Sequence, residues 1–233
     1  MSAGQATRIA ILDYGMGNLR SVEKALEHAG ATPVRTRDHD QIRSADGAVL
    51  PGVGAFPKAM SAVRELELDV VIGELLASAR PILGICLGMQ LLFEASSENE
   101  GAWGLGLLGG RVERLPAGGG GEAAAGAEAG SAGRAPGLKV PHIGWNEVRW
   151  ARHTPLTEGL PQTSPFYFVH SFAPVAVGED DVLGTSTYGE PFVCAVEREP
   201  VYGVQFHPEK SSAHGLQLLR NFTGICASVA SPG

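Results

Sequence analysis

The stretch GICLG at residues 84–88 constrains this chain more than any other. Pro81, Ile82, Leu83 and Ile85 make an apolar run of strand length, and Met89, Leu91, Leu92 and Phe93 follow at the density of a buried helix. Cys86 therefore falls at a strand-to-helix joint, between Gly84 and Gly88. The pattern G-x-C-x-G is the cysteine counterpart of the G-x-S-x-G nucleophile elbow. Such a turn holds its central residue in strained backbone geometry, and glycine flanks avoid the clashes of a Cβ. The joint also sets the sulfur at a helix start, where unpaired N–H groups favour the thiolate. A buried structural cysteine is the alternative, and the two glycines in this context favour the nucleophile.

The same alternation runs through the first half. Residues 8–12 (RIAIL) predict a strand and 13–17 a loop. Leu19, Val22, Leu26 and Ala29 then follow helical spacing, with Asn18 as N-cap and Gly30 as C-cap. Residues 47–52 (GAVLPG) predict another strand ending in a turn, followed by helices near 56–66 and 68–79. Strands alternating with helices indicate an open, mostly parallel sheet with helices on its faces. The second half differs. Residues 166–175 predict one strand, and 192–197 and 201–206 a hairpin turning at Arg198, Glu199 and Pro200. A last helix runs through Leu216, Leu219, Phe222 and Ile225. The expected architecture is an α/β core carrying an antiparallel extension, with residues 1–233 forming one domain.

Residues 117–137 break the pattern. They are almost wholly Gly, Ala, Ser and Glu with no periodic apolar face, and predict a flexible insertion. Lys and Arg number 18 against 25 Asp and Glu, a formal charge of −7, which leaves no basic footprint for nucleic acid. No apolar run reaches the roughly 18 residues of a membrane span, and the N-terminus lacks a secretory apolar segment. The cysteines are Cys86, Cys194 and Cys226, an odd and sparse set that fits a reducing cytoplasm rather than a disulfide framework. Neither CxxC nor HxxxH occurs, so no metal is expected.

A nucleophilic cysteine needs a base. Of seven histidines, His207 in GVQFHPE (203–209) follows a strand directly, and Pro208 stops that strand. Residues i and i+2 of extended chain point the same way, which sets Glu209 beside His207 to fix its tautomer and stabilise the imidazolium. Acyl transfer also needs donors for the developing oxyanion. The N–H of Leu87 is one, and the glycine-rich loop LPGVGAF (50–56) offers Gly52, Val53 or Gly54 for the second. The GMGN at 15–18 invites a dinucleotide-binding reading, which fails because Arg20 stands where G-x-G-x-x-G requires its third glycine.

An elbow cysteine followed late in the chain by H-x-E resembles the class I glutamine amidotransferases. The resemblance implies a flavodoxin-like fold, Cys86 as nucleophile, His207 as general base and acid, Glu209 as its orienter and Gln90 as a substrate-contacting glutamine. DYGMGNLRSVEKAL (13–26) and VPHIGWN (140–146) narrow it to the glutaminase subunits of imidazole glycerol phosphate synthases, with LPGVGAF, GICLGMQLLF, YFVHSF and GVQFHPEKS in agreement. Those subunits hydrolyse L-glutamine through a glutamyl thioester without cofactor or metal. They pass ammonia to a cyclase subunit with a (β/α)₈ barrel fold, in a heterodimer. Asn18, Trp145 and Lys210 fall in blocks matching that family's interface. The glutaminase subunits of anthranilate or pyridoxal phosphate synthase, or a non-catalytic regulatory module, are the alternatives. The former lack the two distinguishing blocks, and the latter would usually have lost a catalytic residue.

Overall fold

Apolar alternation in the first half builds β1 (Arg8–Leu12), α1 (Leu19–His28), β2 (Thr32–Thr36), α2 (His39–Arg43), β3 (Gly47–Gly52), α3 (Phe56–Glu65), α4 (Leu68–Ala77), β4 (Ile82–Cys86) and α5 (Leu87–Leu91). Then come β5 (Phe93–Ser96), β6 (Ala102–Trp103), β7 (Leu108–Arg114), β8 (His142–Trp150), β9 (Thr163–His170), β10 (Phe172–Val175), β11 (Val182–Tyr188), β12 (Glu190–Arg198), β13 (Val201–Val204) and α6 (Ser212–Ala230). The computed structural model describes residues 6–99, 101–116 and 138–230, so the insertion expected at 117–137 lies outside the described residues.

Nine strands form one sheet in the order β2-β1-β3-β4-β13-β12-β11-β8-β9. The first five are parallel, and their 2-1-3-4 order with β13 as the fifth is the flavodoxin-like arrangement. From β13 onward every neighbour is antiparallel. A smaller sheet, β10-β7-β5-β6, stands beside it. β3, β4 and β13 are buried along their whole lengths, as expected of strands covered on both faces.

Three local expectations need correction. Residues 166–175 are two strands: β9 ends at His170, and the chain bends at Ser171 so that β10 can pair with β7 in the other sheet. The Ser171 carbonyl is still used, accepting the N–H of Leu115 at 2.8 Å. The helix after Cys86 is only five residues long; Leu92 caps it and Phe93 opens β5. Apolar density alone cannot separate a buried helix from a short turn feeding a buried strand. Finally, α1 caps at Ala29, and Gly30 lies one residue further, with a φ of +92° that glycine adopts without strain. The predicted hairpin is present, with Arg198 opposite Val201.

Candidate active site

β3 and β4 end side by side, with Gly52 in register with Cys86, and β13 pairs on the other side of β4, with Val204 opposite Ile85. The carboxyl ends of parallel strands are where open α/β sheets bind ligands. The glycine-rich loop, Cys86 and the segment leading to His207 all leave the sheet at this one edge.

Cys86 adopts φ +55° and ψ −112°, a strained conformation for a residue with a side chain. The glycines beside it serve close approach. A Cβ on Gly88 would lie 1.7 Å from the Leu50 carbonyl oxygen, and one on Gly84 would lie 2.7 Å from backbone atoms of Gly88 and Met89. Strand and helix thus touch backbone to backbone, and the elbow turns within one residue. The thiol is 6% exposed. Its Sγ lies 3.8 Å from the Val169 carbonyl oxygen and accepts from Gln205 Nε2 at 3.7 Å.

His207 follows the end of β13 in extended geometry, and Pro208–Lys210 then close into a 3₁₀ turn. The chain is therefore not extended through Glu209, yet the side chains still meet: His207 Nδ1 and Glu209 Oε1 are 2.8 Å apart. Proline, without an N–H, ends the ladder and opens the tight turn. Ser211 fixes the geometry by accepting from the Tyr167 N–H at 3.0 Å and donating to the His207 carbonyl at 2.6 Å.

The His207 and Glu209 side chains are only 4% and 2% exposed. Burial pushes the imidazole pKa down. The proximity of Cys86 and the hydrogen bond to Glu209 outweigh burial and raise it to about 10. At neutral pH His207 is therefore an imidazolium, held between Cys86 and Glu209. His207 Nε2 and Glu209 Oε2 are buried with no hydrogen-bond partner of aligned geometry among the described residues, so the His207 Nε2 proton is left for a group entering the site.

A cavity of about 300 Å³ opens onto Cys86 and is lined in part by Val53, Gly54, Leu87, Gln90 and Glu98. The structure thus brings Cys86, the loop and Gln90 together. Gly52 sits behind the cavity wall, where a Cβ would strike the Tyr14 hydroxyl at 2.3 Å. A larger cleft, about 750 Å³, lies at the opposite ends of β4 and β13 and includes neither cysteine nor histidine, so it lacks this chemistry.

Tyr14, Glu98 and Gln205 were not legible as site residues. Tyr14 donates to the Pro51 carbonyl at 2.7 Å, bracing the glycine-rich loop, and burial followed by the charge of Cys86 raises its pKa. Glu98 accepts the Phe56 N–H at 2.7 Å while lining the cavity. Gln205, fully buried two residues before His207, carried the one available signal: a polar residue in an apolar run.

The three surface residues separate. Trp145, 54% exposed, packs edge-on against Tyr167 at 6.2 Å, and the Lys210 ammonium lies 5.8 Å from the same ring. Asn18 caps α1 and lines a different cleft, shared with Glu209.

A sequence profile of the family "Glutamine amidotransferase class-I" matches residues 10–225. Among curated proteins, the chain is 46% identical over 217 residues to "Imidazole glycerol phosphate synthase subunit HisH" of Bacillus cereus, covering 93% of this chain and 94% of that one. It is 45% identical over 225 residues to the protein of the same description from Moorella thermoacetica, covering 97% and 98%. Among solved structures, PurLQS from Thermotoga maritima superposes with a TM-score of 0.70 at 18% identity over 95% of this chain and 99% of that one. A structure described as a glutamine amidotransferase superposes at 0.68 and 19% identity, over 94% and 98%.

Proposed function

The chain belongs to the class I glutamine amidotransferases, and from that premise we propose that it is the glutaminase subunit of an imidazole glycerol phosphate synthase in histidine biosynthesis. The observation that carries the mechanism is the buried Cys86 thiol at a strained elbow, opening on a cavity, with the His207–Glu209 pair held at 2.8 Å beyond the adjacent strand. Residues 1–233 act as a single catalytic domain in this reading.

L-glutamine enters the cavity with its side-chain amide at Cys86. The Glu98 carboxylate offers the counter-charge for the substrate ammonium, and Gln90 lines the wall beside it. The thiolate attacks the amide carbon, and negative charge moves onto the oxygen. The Leu87 N–H lies next to the nucleophile and supplies one donor to that oxyanion. Imidazolium His207 gives its proton to the departing nitrogen, so ammonia leaves and a glutamyl thioester remains on Cys86. Neutral His207 then takes a proton from water, hydroxide displaces the thiolate, and glutamate departs. Glu209 keeps the imidazole oriented and stabilises its charged form in both steps.

The second oxyanion donor comes from the Gly52–Gly54 segment. Val53 is 43% exposed and Gly54 has φ +107°, while Gly52 is fixed against Tyr14. The freedom to rotate lies on the Val53–Gly54 side. A partner that turns an N–H into the site would switch the enzyme on, since one such donor is worth about 10²–10³ in rate.

That partner is a cyclase subunit of (β/α)₈ barrel fold, which receives the ammonia in a cytoplasmic heterodimer. Exposed Trp145 and Lys210, gathered around Tyr167, form part of the docking face, and Asn18, in the neighbouring cleft lined by Glu209, is the third residue assigned to it. No helix among the described residues is long and apolar enough to cross a membrane.

The test is steady-state glutamate release from glutamine by the purified chain, alone and with the cyclase and its ligand. Low turnover alone and strong activation in the complex are expected. Full turnover by the free chain would refute the switch, and no turnover in either state would refute the glutaminase.

A further inference from the structure

Two buried histidines outside the triad are joined to the active site by a chain of directed hydrogen bonds. His142 and His170 stand opposite each other in the β8–β9 ladder and are 3% and 5% exposed. His170 Nδ1 lies 2.9 Å from the Phe172 carbonyl oxygen, and His170 Nε2 lies 3.0 Å from His142 Nδ1. A carbonyl only accepts, so the proton of His170 is on Nδ1 and its Nε2 must accept. His142 therefore donates from Nδ1, leaving its Nε2 to accept from Asn146 Nδ2 at a long 3.4 Å. The Asn146 amide cannot be turned round, because its oxygen accepts the Glu147 N–H at 2.8 Å and its nitrogen donates to the Thr187 carbonyl at 2.8 Å.

The far end of the chain is the site itself. The Phe172 carbonyl also accepts from Gln90 Nε2 at 3.0 Å, and the second proton of that amide goes to Gln205 Oε1 at 3.0 Å. Gln205 Nε2 in turn faces Cys86 Sγ. One direction of donation thus runs from Asn146 through both imidazoles to the Phe172 carbonyl, which Gln90 meets from the other side. Val169, His170, Ser171 and Phe172 are consecutive wall residues of the cavity that opens on Cys86.

We propose that His142 and His170 are positioning residues that lock the Val169–Phe172 wall and the Gln90 amide in the geometry that binds glutamine. The inference rests on the reading of that cavity as the glutamine pocket. Ser171 is the bend where the chain passes from one sheet to the other, and it belongs to neither ladder, its carbonyl held by the Leu115 N–H alone. The imidazoles supply that constraint from the side. Both must be neutral for the pattern to hold: burial lowers the pKa of His142, and burial lowers that of His170 to about 4, beyond what the Phe172 carbonyl restores. A neutral pair also adds no charge beside the His207 imidazolium.

Packing and polarity can be separated experimentally. The His142 ring stacks on Phe168 at 5.0 Å and Tyr188 at 4.1 Å, contacts that His142→Phe keeps while removing both nitrogens. His142→Asn places an amide N–H near the lost Nδ1 and can still donate to His170. Glutamine-dependent glutamate release is measured in the complex with the cyclase, alongside ammonium-dependent synthesis and thermal midpoints. Because the wall touches substrate in ground and transition states alike, His142→Phe should raise KM for glutamine roughly tenfold with kcat nearly unchanged. Ammonium-dependent synthesis should match the native complex, and His142→Asn should recover most of the native KM. Asn146→Ala, at a half-buried position, should raise KM in the same direction by about two- to threefold and serves if His142→Phe does not fold. Native KM in a folded His142→Phe or in Asn146→Ala, or a loss equal in His142→Asn and His142→Phe, would overturn the inference alone. No glutamate release by the native complex would overturn the glutaminase reading and this inference with it.

Discussion

Replacing Glu209 by glutamine keeps the shape of the His207 partner and removes its charge. The carboxylate sits 2.8 Å from Nδ1 with both side chains almost fully buried, so the lost interaction is a charge-assisted hydrogen bond in a low-dielectric setting. Such bonds are worth about 1.5–3 kcal/mol net. If that whole amount stabilises the imidazolium, the His207 pKa falls from about 10 by roughly one to two pH units. The proton that must reach the departing ammonia is held by the same group, so kcat/KM should fall about 10- to 150-fold. Sign matters here. The active pairing is lost on the alkaline side, as His207 deprotonates, so the alkaline limb of kcat/KM for glutamine should move to lower pH in Glu209→Gln. The assay is glutamate release by the cyclase complex between about pH 6 and 10, where kcat/KM reports groups of the free enzyme. An unmoved alkaline limb, or a limb displaced upward, would refute the argument. The same raised pKa makes the imidazolium a stabilising charge. Its contribution is complete below its unfolded value near 6.5 and is lost as pH climbs through about 10.

Cys86→Ala should abolish glutamine-dependent synthesis while supplied ammonium salt still supports it, and glutaminase turnover in the folded variant would refute the mechanism. Cys194→Ala and Cys226→Ala, both fully buried with no disulfide, should keep the chemistry at a cost of about 1 kcal/mol in denaturant unfolding. Gly88→Ala should prevent native folding or lower the thermal midpoint sharply, since its Cβ would overlap the Leu50 carbonyl; a native midpoint would show that β3 and α5 can separate. Replacing residues 118–135 by a short Gly-Ser link should leave folding and glutaminase activity nearly unchanged, because closure entropy varies slowly with length. Loss of activity would place that segment in a site.

Of the parallel strands, β1, β3, β4 and β13 were legible as short apolar runs, with glycine marking the ends of β3 and β4 at Gly52 and Gly84–Gly88, whereas the half-exposed β2 was not. The elbow was legible for the same reason: close backbone approach demands glycine and leaves it in the sequence. The pair His207 and Glu209 was found by a two-residue spacing, although the turn that joins them is 3₁₀ rather than extended. What stayed hidden depends on partners distant in sequence. Nothing near Ser171 tells a continuous strand from one that changes sheets, because the decision lies in pairing with β7. Gln205, Glu98 and Tyr14 act through contacts reaching across 37 to 119 positions, and a single sequence does not show which residues they meet.

The placement of β13 beside β4 has a consequence for the newly made chain. Cys86 emerges early, but the Gln205 amide that meets its sulfur comes 119 residues later, and His207 after that. At roughly 5–20 residues per second, synthesis of that interval takes on the order of ten seconds. During that time Cys86 has neither the His207 imidazole nor the β13 strand that lies beside it in the folded protein. A chain released before Gln205 therefore carries the Cys86 thiol without the amide and the imidazole that flank it in the folded protein.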